Sequence, residues 1–319
     1  MDIPRKHHYL PQFYLERFKI TPQKGKYPHI YRVEKTSSPK TTTPAIKDTG
    51  CQRDYHTLDY EIQNRHAIES FFSKIEAKQA KLIDCICKSN TITEDQKDTL
   101  AEFLSIMRFR VPAHKRYIEL SLKNELKSTF KIIMQQGKLS KPPKEIESLI
   151  QKEGYDFLDF NISNWKILEY MMQSAFQGEQ LLLLRNMKYQ LIIAPKGHHF
   201  LTGDSPVALY HPNYNSIKPY GVGPAIKGIE ITIPLSQEHL VKLTWDGEEG
   251  VTTINNDEVG EYNRKTIIMA ESQIFASEVN KELIEKISLL HNIKAGYQLD
   301  ELWYGKGAVN ITRFIPVTN

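Results

Sequence analysis

The sequence predicts an α+β fold in which a helical middle region packs with a C-terminal, mostly antiparallel sheet. Two observations predict it. Apolar residues recur at 3.6-residue spacing from Ile62 to Leu183 and at two-residue spacing from Tyr189 onward. Strand and helix signals are thus segregated rather than alternating, which argues against a doubly wound parallel sheet. The 319 residues, with no internal repeat, read as one large domain: an N-terminal motif and strand over 1–60, helices over 61–185, and a strand-rich region with late helices over 186–319.

The elements follow in order. Pro11 suits the first turn of a short helix, PQFYLERF, too short to be stable alone. Its aromatics must dock on the rest of the chain, carrying His7, His8 and Gln12 inward. HIYRV reads as a strand, and EKTSSPKTTTPAIKDTG as a loop or edge strand. Ile68, Phe71, Phe72, Ile75, Leu82, Ile83 and Ile86 form one helical face. Thr93 and Gln96 carry a capping-box signature that starts a second helix, striped by Leu100, Phe103, Leu104, Met107 and Val111. Pro112 ends or kinks that helix, and a third runs from about Lys115 to Gln135. GKLSKPPKE is a linker, and a short helix follows it to Gly154. A long helix starting near Ser163 places Trp165, Leu168, Met172, Phe176 and Leu183 on one face. YQLIIA, HFLTGD, GIEITIPL and HLVKLTW read as strands. NNDEVGEYNRKTIIMAES is a helix with Asn256 as N-cap, QIFAS a strand, and VNKELIEKISLLH a last helix.

Composition narrows the function classes. A net charge of +4 does not by itself argue for nucleic acid, though it leaves room for a local basic surface. Three cysteines in no regular pattern give no disulfide framework and fit a reducing compartment. Cys85 and Cys87 become metal ligands only if distant residues join them. The most apolar run, LLLLRNMKYQLIIA, is broken by Arg185, Asn186 and Lys188, so no membrane span is expected and the chain reads as a soluble cytoplasmic protein. Neither a phosphate-cradling G-x-x-x-x-G-K loop nor G-x-G-x-x-G occurs, and the glycine-rich YGVGPAIKG reads as a mobile loop.

Polar residues that interrupt apolar stripes mark the candidate chemistry. Gln79 falls inside the first helical stripe, with Glu69 and Glu76 on its flank seven residues apart. Arg108 and Arg110 border the stripe of the next helix. Buried charges need partners, and these acids and bases can serve one another as an ion-pair network or as a polar pocket. Arg108 and His114 also show the R-x5-H spacing of some helical ribonucleases. Glu179 lies on the Trp165 face if the helix passes Gly178, and at a boundary if Gly178 ends it. FLTGDSPV puts Asp204 at a strand end, where an aspartate ligates metal, acts as a base or caps a turn. Its GDS does not make an esterase, because the chain's tail lacks the Asp-x-x-His partner. GIEITIP lacks the lysine of a nuclease Glu-x-Lys.

HHYLPQFYLERF resembles the characteristic start of the domain of unknown function 4238 family. AIESFFSKIE, with Glu69, Phe72 and Glu76, is similar to a later segment of that family. So are FLSIMRFRVPAHKR, with Arg110, Pro112 and Arg116, and FLTGDSPV, from Gly203 to Val207. The resemblance implies a soluble bacterial protein, and family members occur among anti-phage defence genes. In the family the strand-end Asp is often followed by Asn or Asp, whereas here Ser205 follows, which weakens a two-acid metal centre.

Residue types and resemblance together single out His8, Gln12, Glu69, Arg110 and Asp204 as candidate catalytic residues and His7, Glu76, Arg108 and Arg116 as candidate substrate-binding residues. Such a set handles a phosphodiester: Arg holds phosphate, His or Glu moves protons, and Asp holds water or metal. A divalent metal ion is one cofactor the set can use, with no ligands assigned. The expectation is a defence effector that cleaves nucleic acid. The alternative is a non-catalytic sensor or binding module that recognises a phage protein or nucleic acid.

Overall fold

The computed structural model describes residues 5–22, 25–59, 65–138, 140–154, 157–213, 221–293, 295–304 and 307–317; Ile62, Leu139 and Tyr220 lie outside them. The chain runs β1 (Lys6–His8), α1 (Gln12–Leu15), a 3-10 turn, β2 (Tyr31–Glu34), β3 (Thr41–Thr42) and β4 (Cys51–Arg53). Helices follow: α2 (Ala67–Ser89), α3 (Glu94–Phe109), α4 (Pro112–Gln135), α5 (Lys144–Glu153), α6 (Asn164–Phe176) and α7 (Gly178–Asn186). Then come β5 (Lys188–Ile193), β6 (Thr202–Gly203), β7 (Ala208–Tyr210), β8 (Glu230–Pro234), β9 (His239–Thr244), β10 (Gly250–Thr253), α8 (Asn256–Met269), β11 (Gln273–Ala276), α9 (Lys281–Leu290), and a hairpin of β12 (Gly296–Tyr304) and β13 (Gly307–Ile315). The fold is α+β.

β10-β5-β9-β8-β7 form a five-stranded sheet, antiparallel except for the β10–β5 pair. β3-β2-β11-β6 form a second, antiparallel throughout, and β1 pairs with β4. α3 is the central helix. The Thr93–Gln96 capping box starts it, and α2, α4, α6 and α7 pack around it. Its Leu100 and Phe103 join Ile83 of α2, Leu191 of β5, Ile231 of β8 and Val241 of β9 in one apolar core.

The opening segment is part of that core. Leu10, Tyr14, Leu15 and Phe18 are fully buried. Tyr14 Oη bonds Thr202 Oγ1 at 2.7 Å, and Arg17 Nη2 donates to Asp84 of α2 at 2.6 Å. Burial of aromatic and aliphatic side chains is worth about 1.5–3 kcal/mol each, enough to hold a helix that has no stability of its own.

Three local expectations are corrected. Pro112 does not merely end a helix; it opens α4, where its missing N–H costs nothing. The helix from Ser163 breaks at Gln177, whose extended ψ of 119° serves as C-cap of α6 and N-cap of α7, so Glu179 sits exposed in a first turn. Asn255, not Asn256, caps α8, with Glu258 completing the box. The glycine-rich stretch after Tyr220 is pinned at its start: Val222 N–H donates to Phe314 O at 3.1 Å, and Gly221, at φ +73°, leaves no room for a Cβ, which would come within 2.3 Å of that oxygen.

Candidate functional site

Strand pairing assembles the site. In β1, paired to β4 in the register His7↔Gln52 and His8↔Cys51, His7 is fully buried and His8 half-buried. The chain leaves β4 and turns through Asp54, at φ +54°, to bring Tyr55 and His56 beneath β1. Helical spacing then places Glu69, Phe72, Glu76 and Gln79 along one side of α2. Arg110, at the C-cap of α3, closes the group from below.

Hydrogen bonds fix the imidazoles. His7 Nδ1 accepts the His56 backbone N–H at 2.9 Å. The two rings stack at 5.7 Å, and His66 stands edge-on to His7 at 5.8 Å. His56 Nδ1 and Glu69 Oε2 lie 2.7 Å apart. An ionised carboxylate only accepts, so the proton is on Nδ1 and Nε2 keeps its lone pair. That Nε2 is buried and has no hydrogen-bond partner. Burial, reinforced by the Arg110 charge, holds the His56 pKa well below the ordinary value, so the ring is neutral at pH 7. Burial also lowers the pKa of His8, against the pull of Glu69.

Arg110 is 1% exposed. Its Nη1 donates to Glu76 Oε1 at 2.8 Å, its Nη2 donates to the His8 carbonyl, and the guanidinium lies 4.3 Å over the Phe72 ring. Tyr55 Oη donates to the Arg110 carbonyl at 3.0 Å. The guanidinium therefore ties β1 to α2, while its buried Nε has no hydrogen-bond partner. Lys115 adds a second cation: its Nζ donates to the Tyr55 carbonyl at 3.0 Å, and burial brings its pKa down to about 8.

Ligand atoms of His7, His56 and Glu69 lie within 4.8 Å of one another, a spacing that suits a cation. The donor set still falls short of a three-ligand centre. His7 Nδ1 is engaged as the acceptor of a backbone N–H, so that nitrogen offers a metal no free lone pair.

The nine sequence-derived candidates divide. His7, His8, Glu69, Glu76 and Arg110 converge. Gln12 does not join them: the buried side of α1 carries Tyr14 and Leu15, leaving Gln12 exposed. Asp204 is absorbed by the backbone, accepting from Glu271 N, Ser272 N, Ser272 Oγ and Gln273 N at 2.7 to 3.1 Å. The close β6–β11 approach that delivers these donors needs Gly203, where a Cβ would fall 2.8 Å from Ala270 Cβ. Burial nonetheless raises the Asp204 pKa, with the Ser272 bonds opposing. Arg116 is exposed and paired with Glu271. Arg108 lines a different cavity. Sequence reasoning missed His56, His66 and Lys115. Only the β1–β4 register shows that His56 lies against His7, and sequence spacing does not reveal a pairing between strands so far apart in the chain.

No curated protein and no solved structure matches the chain. The family model described as a protein of unknown function, DUF4238, matches residues 6–280, which take in β1, the helical centre and both larger sheets, and the chain belongs to that family.

Proposed function

We propose that this protein is a nucleic-acid-cleaving effector of bacterial anti-phage defence and that its substrate is RNA. One observation carries the reading: His56 is oriented by Glu69 at 2.7 Å and presents an unpartnered, neutral Nε2. That is the arrangement of an oriented general base. RNA suits it because the ribose 2′-hydroxyl is an internal nucleophile, needing only a base to take its proton. His56 Nε2 accepts that proton as the 2′-oxygen bonds to phosphorus. Glu69 stabilises the imidazolium that forms. The P–O5′ bond breaks, and the leaving 5′-oxygen takes a proton from Lys115, giving a 2′,3′-cyclic phosphate and a 5′-hydroxyl. Glu69 and Glu76, at 29% and 24% exposure, mark the side from which substrate approaches.

The test is purified protein incubated with end-labelled single-stranded RNA and DNA, in EDTA and separately with magnesium or manganese. RNA cleaved in EDTA, DNA left intact, and a His56→Gln rate lower by about 10²-fold or more are expected. RNA intact under every condition contradicts the nuclease reading, and cleavage only with metal contradicts the dyad.

A second reading, a non-catalytic module that recognises a phage protein, is favoured by exposed apolar side chains on α4 and α5: Leu120, Leu126, Ile146 and Leu149. Capture of a phage protein by a His56→Gln variant as well as by wild type supports it.

A further inference from the structure

A cavity of about 280 Å³ lies between the α3–α4 junction, the segment after Asp204 and the C-terminal hairpin. It shares no lining residue with the His56–Glu69 cluster. Its walls are largely apolar, with Met107, Val111, Val207, Met269 and Phe314 among them. Polar side chains interrupt them, and three of these, His114, Ser205 and Arg108, hold atoms with no hydrogen-bond partner. His114 is 3% exposed and neither of its ring nitrogens has a partner. Ser205 is also 3% exposed, with an unpartnered Oγ. Arg108 is half-buried, its Nε has no partner, and its hydrogen bond to Tyr297 Oη is long at 3.5 Å. No carboxylate among the described residues pairs with Arg108; Glu271, which also lines the cavity, is taken by Arg116.

Leaving a buried polar group unbonded costs about 1–3 kcal/mol, and three such side chains in one cavity point to a missing partner. Their chemistry defines it. A guanidinium without a counter-charge calls for an acid, which it can grip with two N–H groups. The His114 ring sits among Phe109, Tyr297 and Tyr117 at centroid distances of 4.7, 5.1 and 5.7 Å. Burial and the Arg108 charge bring its pKa down to about 3, so it stays a neutral ring with one donor and one acceptor. Arg108 itself lies over Phe109 and Phe314 at 5.0 and 5.2 Å, and Phe314 and Tyr297 give the cavity aromatic walls. Small-molecule pockets run from about 300 Å³ upward, so this one takes a ring and an acid group, not a polymer.

We propose that this cavity is a binding site for a small organic anion, a single acidic group on a flat ring, held by Arg108 at the acid and by His114 and Ser205 at the ring's polar edge. The hairpin residues Tyr297, Gln298 and Phe314 form one wall and lie beyond the residues matched to the family. Arg108, His114 and Ser205, with the walls from Met107, Val111, Val207 and Met269, lie within the matched residues, and the hairpin wall lies outside them.

The test is calorimetric titration of the full chain with benzoate and uridine 5′-monophosphate, set against benzamide and uridine as their neutral counterparts. The expected result is sub-millimolar binding of at least one acidic probe, tenfold or more tighter than its counterpart. Arg108→Gln should weaken that binding at least tenfold, and Ala295→Phe, which fills the cavity at its rim, should abolish it, with circular dichroism confirming each fold. The two variants remove charge and space separately, so one suffices if the other does not fold. Failure of both acids to bind at millimolar concentration, equal binding of acid and neutral probe, or unchanged binding in a folded variant overturns the proposal.

Discussion

A single proton position sets the chemistry at the residue scale. Glu69 draws the His56 proton to Nδ1, and Nε2 is left as a base in a buried, neutral ring. Because its pKa is lowered, the base form persists below the ordinary histidine range. The acid limb of kcat/KM for RNA cleavage should therefore fall below pH 6.5, and a limb centred at or above 6.5 would exclude His56 as the base. Arg110 acts by position. Arg110→Met should unfold the protein more readily by about 3 kcal/mol, the low end for breaking a buried pair because Glu76 is a quarter exposed; denaturant melts check it. This pair was legible in the sequence as charges bordering facing apolar stripes. His56 was not, since nothing in YHT shows which strand will lie over it.

Elements built by local rules are those the sequence shows best. α3 has its capping box and its stripe in plain view. Replacing Thr93 by Ala should cost about 1 kcal/mol of stability. Phe103→Ala, in the helix that every neighbouring helix packs on, should cost about 3–5 kcal/mol. Equal losses from the two would contradict the central place given to α3. Elements decided by tertiary contact are less legible. The break at Gln177 splits a continuous apolar stripe, and FLTGD carries no sign that Asp204 will be spent on the β11 turn. The hairpin β12–β13 is joined to the sheet region by isolated bridges, Gly221 to Phe314 and Tyr210 to Val317, which only the folded chain reveals.

At the scale of the whole molecule, the segregation of helix and strand signals was enough for the α+β class, because periodicity survives averaging over a long chain. Convergence of the opening motif on the helical centre was also legible: its aromatics had to be buried somewhere. The polar centre was only half legible, because it splits into a His–Glu–Arg cluster and a separate cavity. That cavity gives the protein an acid-sensitive point. His114 takes a proton near 6.5 in the unfolded chain but not until about 3 in the folded one, where Arg108, Tyr117 and Tyr297 face it. The unfolded state thus binds more protons between those values, and stability falls as pH drops through them. A His114→Gln variant should show a shallower loss between pH 6.5 and 3 in urea melts, and an unchanged slope would contradict the assignment.

Folding the chain's start onto its helical centre fixes His56 as a neutral, Glu69-oriented base. Nitrogen-15 NMR of the imidazoles tests it most directly. The expected spectrum shows a His56 ring protonated at Nδ1, bare at Nε2 and unchanged as pH falls through 6.5, with Glu69→Gln disturbing that tautomer. A ring that takes a second proton at the ordinary histidine pKa, or one bare at Nδ1, would contradict it.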